Sequence, residues 1–261
     1  MSTSVPASWL SADALAALPA VHAFTSREGG ASGGAFATCN LSFRVGDARA
    51  AVERNRAAVL AALDREDARL VAVKQVHGAA VVEVTALASQ HIEADALWTR
   101  DRRAVLAVLV ADCLPVLMAD REGRVVAAVH AGWRGTEARI VRHTVERLLS
   151  VAGVAPESLM VALGPAIGPC CFEIGEEVGE ALRVAYPDPG DSLVPGAPGK
   201  LMADLWALNT RALVEAGVPV AHITALRRCT RCTQDWFSHR RDAGVTGRQA
   251  GVIALRAQPN I

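Results

Sequence analysis

Helical and extended segments interleave irregularly through this 261-residue chain, which predicts an α/β or α+β fold rather than an all-helical or all-strand one. Two observations carry that prediction. Residues 104–111 and 124–130 are near-continuous apolar runs, as strands buried on both faces require. Around them lie stretches with apolar residues three and four apart, the mark of amphipathic helices.

Taken in order, Asp47 reads as an N-cap, and Val52, Val59, Leu60 and Leu63 share one face of the helix that follows. Residues 70–76 and 81–85 read as two strands joined at the turn His77-Gly78. After the two apolar runs, residues 136–150 place Ile140, Val141, Thr144, Val145, Leu148 and Leu149 at helical spacing, with Gly153 as the stop. A strand over 158–163 runs into Gly-Pro-Ala-Ile-Gly-Pro-Cys-Cys, helices span 175–186 and 204–216, and late strands occupy 223–226 and 251–256. Residues 187–199, rich in Pro and Gly, read as a surface loop. No repeat interrupts this order, and the length fits one domain over 1–261.

Twenty-seven basic and 27 acidic residues cancel, which argues against a nucleic-acid footprint or a membrane-surface patch and favours a small-molecule partner. Lys74 and Lys200 are the only lysines, so the positive charge is almost wholly arginine, suited to bidentate capture of phosphate or carboxylate. The longest apolar segment stops at Asp112, far short of a membrane span. The six cysteines lack the regular spacing of a secreted scaffold, and no basic residue precedes Arg27. A soluble cytoplasmic protein is therefore expected. The oligomeric state is not legible, and a monomer is compatible with everything above.

Three residues of soft-metal type follow or end apolar runs: His77 in Lys-Gln-Val-His-Gly, Cys113 in Ala-Asp-Cys-Leu-Pro and His130 in Val-His-Ala-Gly-Trp-Arg-Gly. Their separations, 36 and 17 residues, are too wide for a zinc finger, so only the tertiary fold can join them. Singly, each has a bland reading, a hydrogen-bonded histidine or a small buried hydrophobe. Jointly they offer three protein ligands and an open fourth position, where zinc lowers the pKa of water toward ~7. Copper accepts the same donors but usually adds an axial methionine, for which Met118 and Met202 give no clear candidate. No His-x-His pair of the multicopper oxidases is present. The trio equally admits a metal-free reading, with Cys113 as nucleophile and His130 or His77 as its base.

Arg27 and Arg134 lie among glycines and Arg240-Arg241 precede Asp242, contexts suited to binding an oxyanion as well as to surface ion pairing. Asn40 and Gln75 carry the amides to hydrogen-bond a ribose or a base, or to cap a turn. Asp112 faces away from Cys113 along an extended chain and reads as a hydrogen-bonded turn residue. His91-x-Glu93 and Cys229-x-x-Cys232 imitate the halves of the nucleobase-deaminase signature. They lie more than a hundred residues apart, with Arg228 where that signature has proline. The assignment is rejected, and the Cys-x-x-Cys is read as structural.

Read together, KQVHG, ADAL, ADCLPVLMAD, VAAVHAGWRG, LGPAIGPCCFEIGEEV and RRDAGVTGRQAGVIAL closely resemble the YfiH/laccase-domain family over almost the whole chain. The resemblance implies mixed β-sheets with helices outside, in a fold akin to cysteine hydrolases, and metal ligands at His77, Cys113 and His130. It implies phosphorolysis of purine nucleosides (adenosine, inosine and methylthioadenosine) by phosphate, together with adenosine deamination. Zinc would be the cofactor, with copper as the alternative, and Arg134 first among the phosphate ligands. Glu173 is the acid to test for protonating the departing ammonia. The family's other names imply two rival activities, hydrolytic editing of a peptidoglycan precursor and copper-dependent oxidation of phenols. Trp98 and the run Trp236-Phe237-Ser238-His239 depart from the family pattern and are expected at the pocket rim.

Overall fold

The computed structural model describes residues 9–257, so the two ends of the expected 1–261 span lie outside it. The chain opens with a short helix α1 (Asp13–Ala16), strand β1 (Ala20–Phe24), helix α2 (Arg49–Ala62) and strands β2 (Arg69–Val71) and β3 (Val81–Glu83). Strands β4 (Ala96–Thr99), β5 (Ala104–Val110), β6 (Leu114–Asp120) and β7 (Val126–Ala131) follow without an intervening helix. Helices α3 (Trp133–Glu137) and α4 (Ile140–Ala152) lead into β8 (Leu159–Leu163), β9 (Glu173–Gly175) and α5 (Glu176–Ala185). The last third comprises β10 (Leu193–Pro195), β11 (Lys200–Ala203), α6 (Leu205–Glu215), β12 (Ile223–Ala225) and β13 (Gln249–Leu255).

These strands form a four-stranded sheet in the order β1-β13-β5-β2 and a six-stranded sheet in the order β12-β8-β6-β7-β4-β3, with a small third sheet β10-β11-β9. The alternation of side chains assigns each face. From the six-stranded sheet, Trp98, Val116, Met118 and Val129 pack against α4, α5 and α6, while Leu97, Leu117 and Ala128 point the other way. Those meet Phe24, Leu106, Val108 and Ile253 of the four-stranded sheet, whose outer face, with Val105, Ala107 and Val252, is covered by Val59 and Leu63 at the end of α2. The result is four layers, helix, sheet, sheet and helices. The two central sheets are covered on both faces, which is why β5 and β7 are near-continuous apolar runs.

Local details depart from the sequence reading where side chains found other partners. Asp47 does not cap α2 through a turn of the helix. Its carboxylate takes Ser32 Oγ at 2.6 Å and Asn40 Nδ2 at 2.9 Å, and the N-cap position falls to Ala48, which has no side-chain cap. The strands on either side of His77 do not pair: β2 runs parallel to β5 in one sheet, and β3 parallel to β4 in the other. Arg139, at φ 56°, breaks the expected 136–150 helix into α3 and α4, whereas Gly153, at φ 65°, ends α4 as expected. The 187–199 loop contains β10. Trp98 is fully buried in the main core, not at a rim.

Candidate metal centre and its cavity

The chain crosses between the two large sheets in the link from β2 to β3 and again in the link from β5 to β6. His77 lies in the first link and Cys113 in the second. His130 sits one residue before the end of β7, in register with Pro115 of β6. The fold thereby gathers three residues far apart in sequence. One nitrogen of each imidazole and the Cys113 sulfur all lie within 4.8 Å of one another, and the two rings meet edge to face with centroids 4.8 Å apart. Gly132 makes room for this approach. A Cβ there would fall 3.1 Å from Cys113 Sγ and 3.3 Å from His77 Cδ2.

A carboxylate that the sequence reading quoted in the motif ADAL without giving it a role holds the cluster together. Asp95, completely buried just before β4, accepts His130 Nδ1 at 2.8 Å, which turns the opposite ring nitrogen toward the other ligands. It also accepts the successive backbone N–H groups of Val76, His77 and Gly78, at 3.2, 3.0 and 2.7 Å. That backbone concavity places His77 at φ 61°, a left-handed conformation that histidine adopts more readily than most residues. Burial pushes the Asp95 carboxyl up, but His130 and the Gly78 and Val76 N–H groups outweigh it, so its pKa is lowered.

Burial also works against charge on Cys113 and His130, yet each supplies what the other lacks. His130 and His77 bring the Cys113 thiol down to about 6 despite desolvation, and Cys113 with Asp95 brings His130 up to about 9. Each group thus favours the charged form of the other, a thiolate beside an imidazolium. Two imidazoles and one thiolate form a donor set for a borderline metal ion, with positions left open on the cavity side. The set fits zinc. Among the described residues no methionine lines the cavity, and Met118 is sealed in the core, so the axial methionine usual in a blue-copper centre has no candidate.

The trio opens into a cavity of about 460 Å³. Among the described residues its wall carries Arg44, Arg56, Arg240 and Arg248 but only one carboxylate, Asp112. Asp112 is spoken for, accepting Thr230 Oγ1 at 2.6 Å and the Arg240 N–H at 2.7 Å, in keeping with its reading as a hydrogen-bonded turn residue. None of the four arginines has an ion-pair partner among the described residues. Burial, then repulsion from Arg44 and Arg49, lowers Arg56 to about 10. Phe43, Trp133 and Phe172 contribute aromatic surface.

The residues proposed for substrate divide unequally. Gln75 lines the cavity, while its amide donates to the Leu109 carbonyl at 2.9 Å and accepts the Leu109 N–H at 2.8 Å, prolonging the β2/β5 ladder. Asn40 is buried behind the wall, accepting the Ser42 and Arg248 N–H groups and donating to Asp47. Arg27 reaches the Ala37 carbonyl and stacks on Phe237. Arg241 is occupied by Asp242 and the Thr230, Thr233 and Trp236 carbonyls. Arg134 is exposed and stacks on Trp133 with its guanidinium carbon 4.2 Å from the ring centre. Glu173 is exposed on β9, and neither it nor Arg27, Arg134 or Arg241 lines the cavity. Of the departures from the family pattern, only His239 does.

The family described as multi-copper polyphenol oxidoreductase laccase matches residues 21–256. This chain belongs to that family. Within the laccase-like family, the purine nucleoside phosphorylase YlmD of Geobacillus stearothermophilus is 37% identical over 263 residues, covering 96% of this chain and 95% of its own length. Its crystal structure superposes with a TM-score of 0.89 at 36% identity, over 95% of this chain and 96% of the other, which bears out the mixed α/β architecture. The purine nucleoside phosphorylase PA4543 of Pseudomonas aeruginosa is 39% identical over 250 residues, 95% of this chain and 98% of its own. Adenosine deaminase RL5, from an unknown prokaryotic organism, is 37% identical over 238 residues, 86% of this chain and 90% of its own.

Proposed function

We propose that this chain is a zinc-dependent purine nucleoside phosphorylase acting on adenosine, inosine and methylthioadenosine, with adenosine deaminase activity. One observation carries the reading: the His77, Cys113 and His130 donor set shares a single cavity with three aromatic rings and four arginines that lack ion-pair partners among the described residues. Relatives named for both activities support it. Zinc held by the trio would supply Lewis acidity and an activated water for deamination. The purine lies against the aromatic surfaces, which bind any base through its flat face. Phosphate is held by Arg248 with Arg44 and Arg56, whose uncompensated charge favours a dianion and orients it toward the anomeric carbon. As the phosphate oxygen bonds to that carbon, the glycosidic electron pair leaves on the purine nitrogen. His239, on the cavity wall, protonates it. Both reactions use the same seat for the base.

The test is incubation of purified protein with adenosine, with and without phosphate, resolving adenine, inosine and hypoxanthine. Adenine should form only with phosphate and inosine without it. In Cys113→Ala and His77→Ala proteins prepared identically, both products should fall to background. Activity unchanged in both variants would identify contaminating host enzymes and end the proposal.

A second reading is favoured by the Cys113 thiolate beside the His130 imidazolium, oriented by Asp95. That is the arrangement of a cysteine hydrolase, here cleaving an amide in a peptidoglycan precursor. It requires amide hydrolysis that survives chelation and is abolished by thiol alkylation, with altered wall stem peptides when the gene is lost.

A further inference from the structure

Four cysteines outside the catalytic cavity meet at one point. Cys170 and Cys171 lie on the loop after β8, and Cys229 and Cys232 on the loop after β12. These two strands pair in parallel, Ile223 to Ala225 against Val161 to Leu163, so their loops leave the sheet side by side. The pairing continues beyond the strands. Ala166 bridges Cys229, with Ala166 N donating to the Arg228 carbonyl at 3.1 Å and Thr230 N to the Ala166 carbonyl at 2.9 Å.

The sulfur geometry is that of ligands rather than of disulfides. All four sulfurs lie within 4.8 Å of one another, and Cys232 Sγ is 3.5 Å from both Cys170 Sγ and Cys171 Sγ. A disulfide needs about 2.05 Å, and all four thiols are free. Around an ion with sulfur bonds of about 2.3 Å, a regular tetrahedron sets its corners about 3.8 Å apart. The cluster spans that value. Backbone donors are aimed at it as well: Gly168 N donates to Cys229 Sγ at 3.2 Å, and the Arg231 and Cys232 N–H groups address the same sulfur. Such donors stabilise a thiolate and orient a ligand. Gly168 is itself needed for the cradle, because a Cβ there would stand 3.2 Å from Cys229 Cβ and 3.3 Å from Cys170 Sγ.

We infer that Cys170, Cys171, Cys229 and Cys232 bind one zinc ion as a closed tetrathiolate site, separate from the His77, Cys113 and His130 centre. Four thiolates leave no position for water or substrate, so the site is structural. Each thiol gives up its proton to solvent as the ion binds. The ion ties together two loops that both wall the catalytic cavity, one through Ile167 and Phe172, the other through His239 and Arg240.

The experiment measures metal content of protein purified under a thiol reductant. Wild type should hold two equivalents of zinc, Cys113→Ala one, Cys229→Ser/Cys232→Ser one, and the triple variant none. Because the serine variant can misfold, the deciding measurement leaves the cluster intact: cobalt(II) is titrated into metal-stripped, reduced Cys113→Ala protein. One equivalent should bind with the thiolate charge-transfer and visible bands of a tetrahedral tetrathiolate. A Cys113→Ala protein that takes up no cobalt, or binds it without sulfur charge transfer, overturns the assignment. So does a Cys232 disulfide in aerobic protein whose reduction restores no metal binding.

Discussion

Cys113 and His130 stand at strand ends and His77 in the link between β2 and β3, all around a fully buried carboxylate, whereas Cys170, Cys171, Cys229 and Cys232 come from two loops and expose two of their sulfur-bearing residues. Each group is drawn together by strand pairing, but the means of orientation differ. In the first, Asp95 fixes one imidazole directly and the backbone of the other through three N–H groups. In the second, backbone N–H groups point straight at a ligand sulfur. The first has three donors and faces a cavity. The second has four and does not line that cavity. An open site needs a rigid mount, because an incomplete ligand set cannot fix its own geometry. A complete set pulls its loops into place.

The comparison is broken most directly at Asp95. Asp95→Asn keeps a side chain of the same size but removes the charge opposite His130 and part of the acceptor capacity for residues 76–78. Metal affinity or turnover at the trio should fall roughly 10- to 100-fold, while the cysteine cluster keeps its metal. Competition titration with a chromophoric chelator reads both sites in one protein. Unchanged affinity at the trio would mean that the strands and their links provide the mount without the carboxylate.

A smaller effect separates the arginines that line the cavity from those that only looked suited to it. Arg248 faces Cys113 and Asp112, whose charges favour its protonated form against the larger lowering by burial. Arg248→Gln should raise the KM for phosphate about tenfold, since a charge-assisted hydrogen bond contributes ~1.5–3 kcal/mol. Arg134→Gln should leave it within about twofold, as for an exposed side chain that stacks on Trp133 outside the cavity lining. The reverse ranking would place phosphate outside this cavity and near α3.

These contrasts also show what was legible in the sequence. The trio was legible because each member lies among Gly, Pro or Asp beside an apolar run, and β5 and β7 because two-sided burial removes polar residues from a strand. Asp95 was not, since it lies 18 residues from His77 and 35 from His130 and owes its role to a short strand pairing with β7. Strand β6 was hidden by Pro115, which weakens a strand reading. In the structure Pro115 lies next to the strand start, where its carbonyl still accepts the Gly164 N–H. That Arg27 and Arg134 do not line the cavity has a similar reason. Glycine neighbours mark a permissive backbone, but only packing decides which guanidinium reaches the cavity. The two cysteine pairs were visible separately, and their meeting depends on the parallel pairing of β8 and β12.

Acid sharpens the comparison last, because it acts on both metal sites and on the frame that carries them. Protonation of thiolate and imidazole ligands expels metal from either site, so the frame's own response must be separated from theirs. His22 on β1 provides the handle. It is buried at 8% exposure, its Nε2 accepts the Ala12 N–H at 2.9 Å, and desolvation lowers its pKa from 6.5 to about 4. Between those values the unfolded chain holds the proton and the folded chain does not. His22 therefore costs no stability above about pH 6.5, and stability falls as the pH drops from there toward 4, by roughly 3 kcal/mol at most. In metal-stripped protein, His22→Gln should flatten the decline of the urea midpoint across that window and leave activity of the reloaded enzyme at neutral pH unchanged. If the decline persists in the variant, the acid sensitivity lies elsewhere, with the ligand residues themselves as the next groups to titrate.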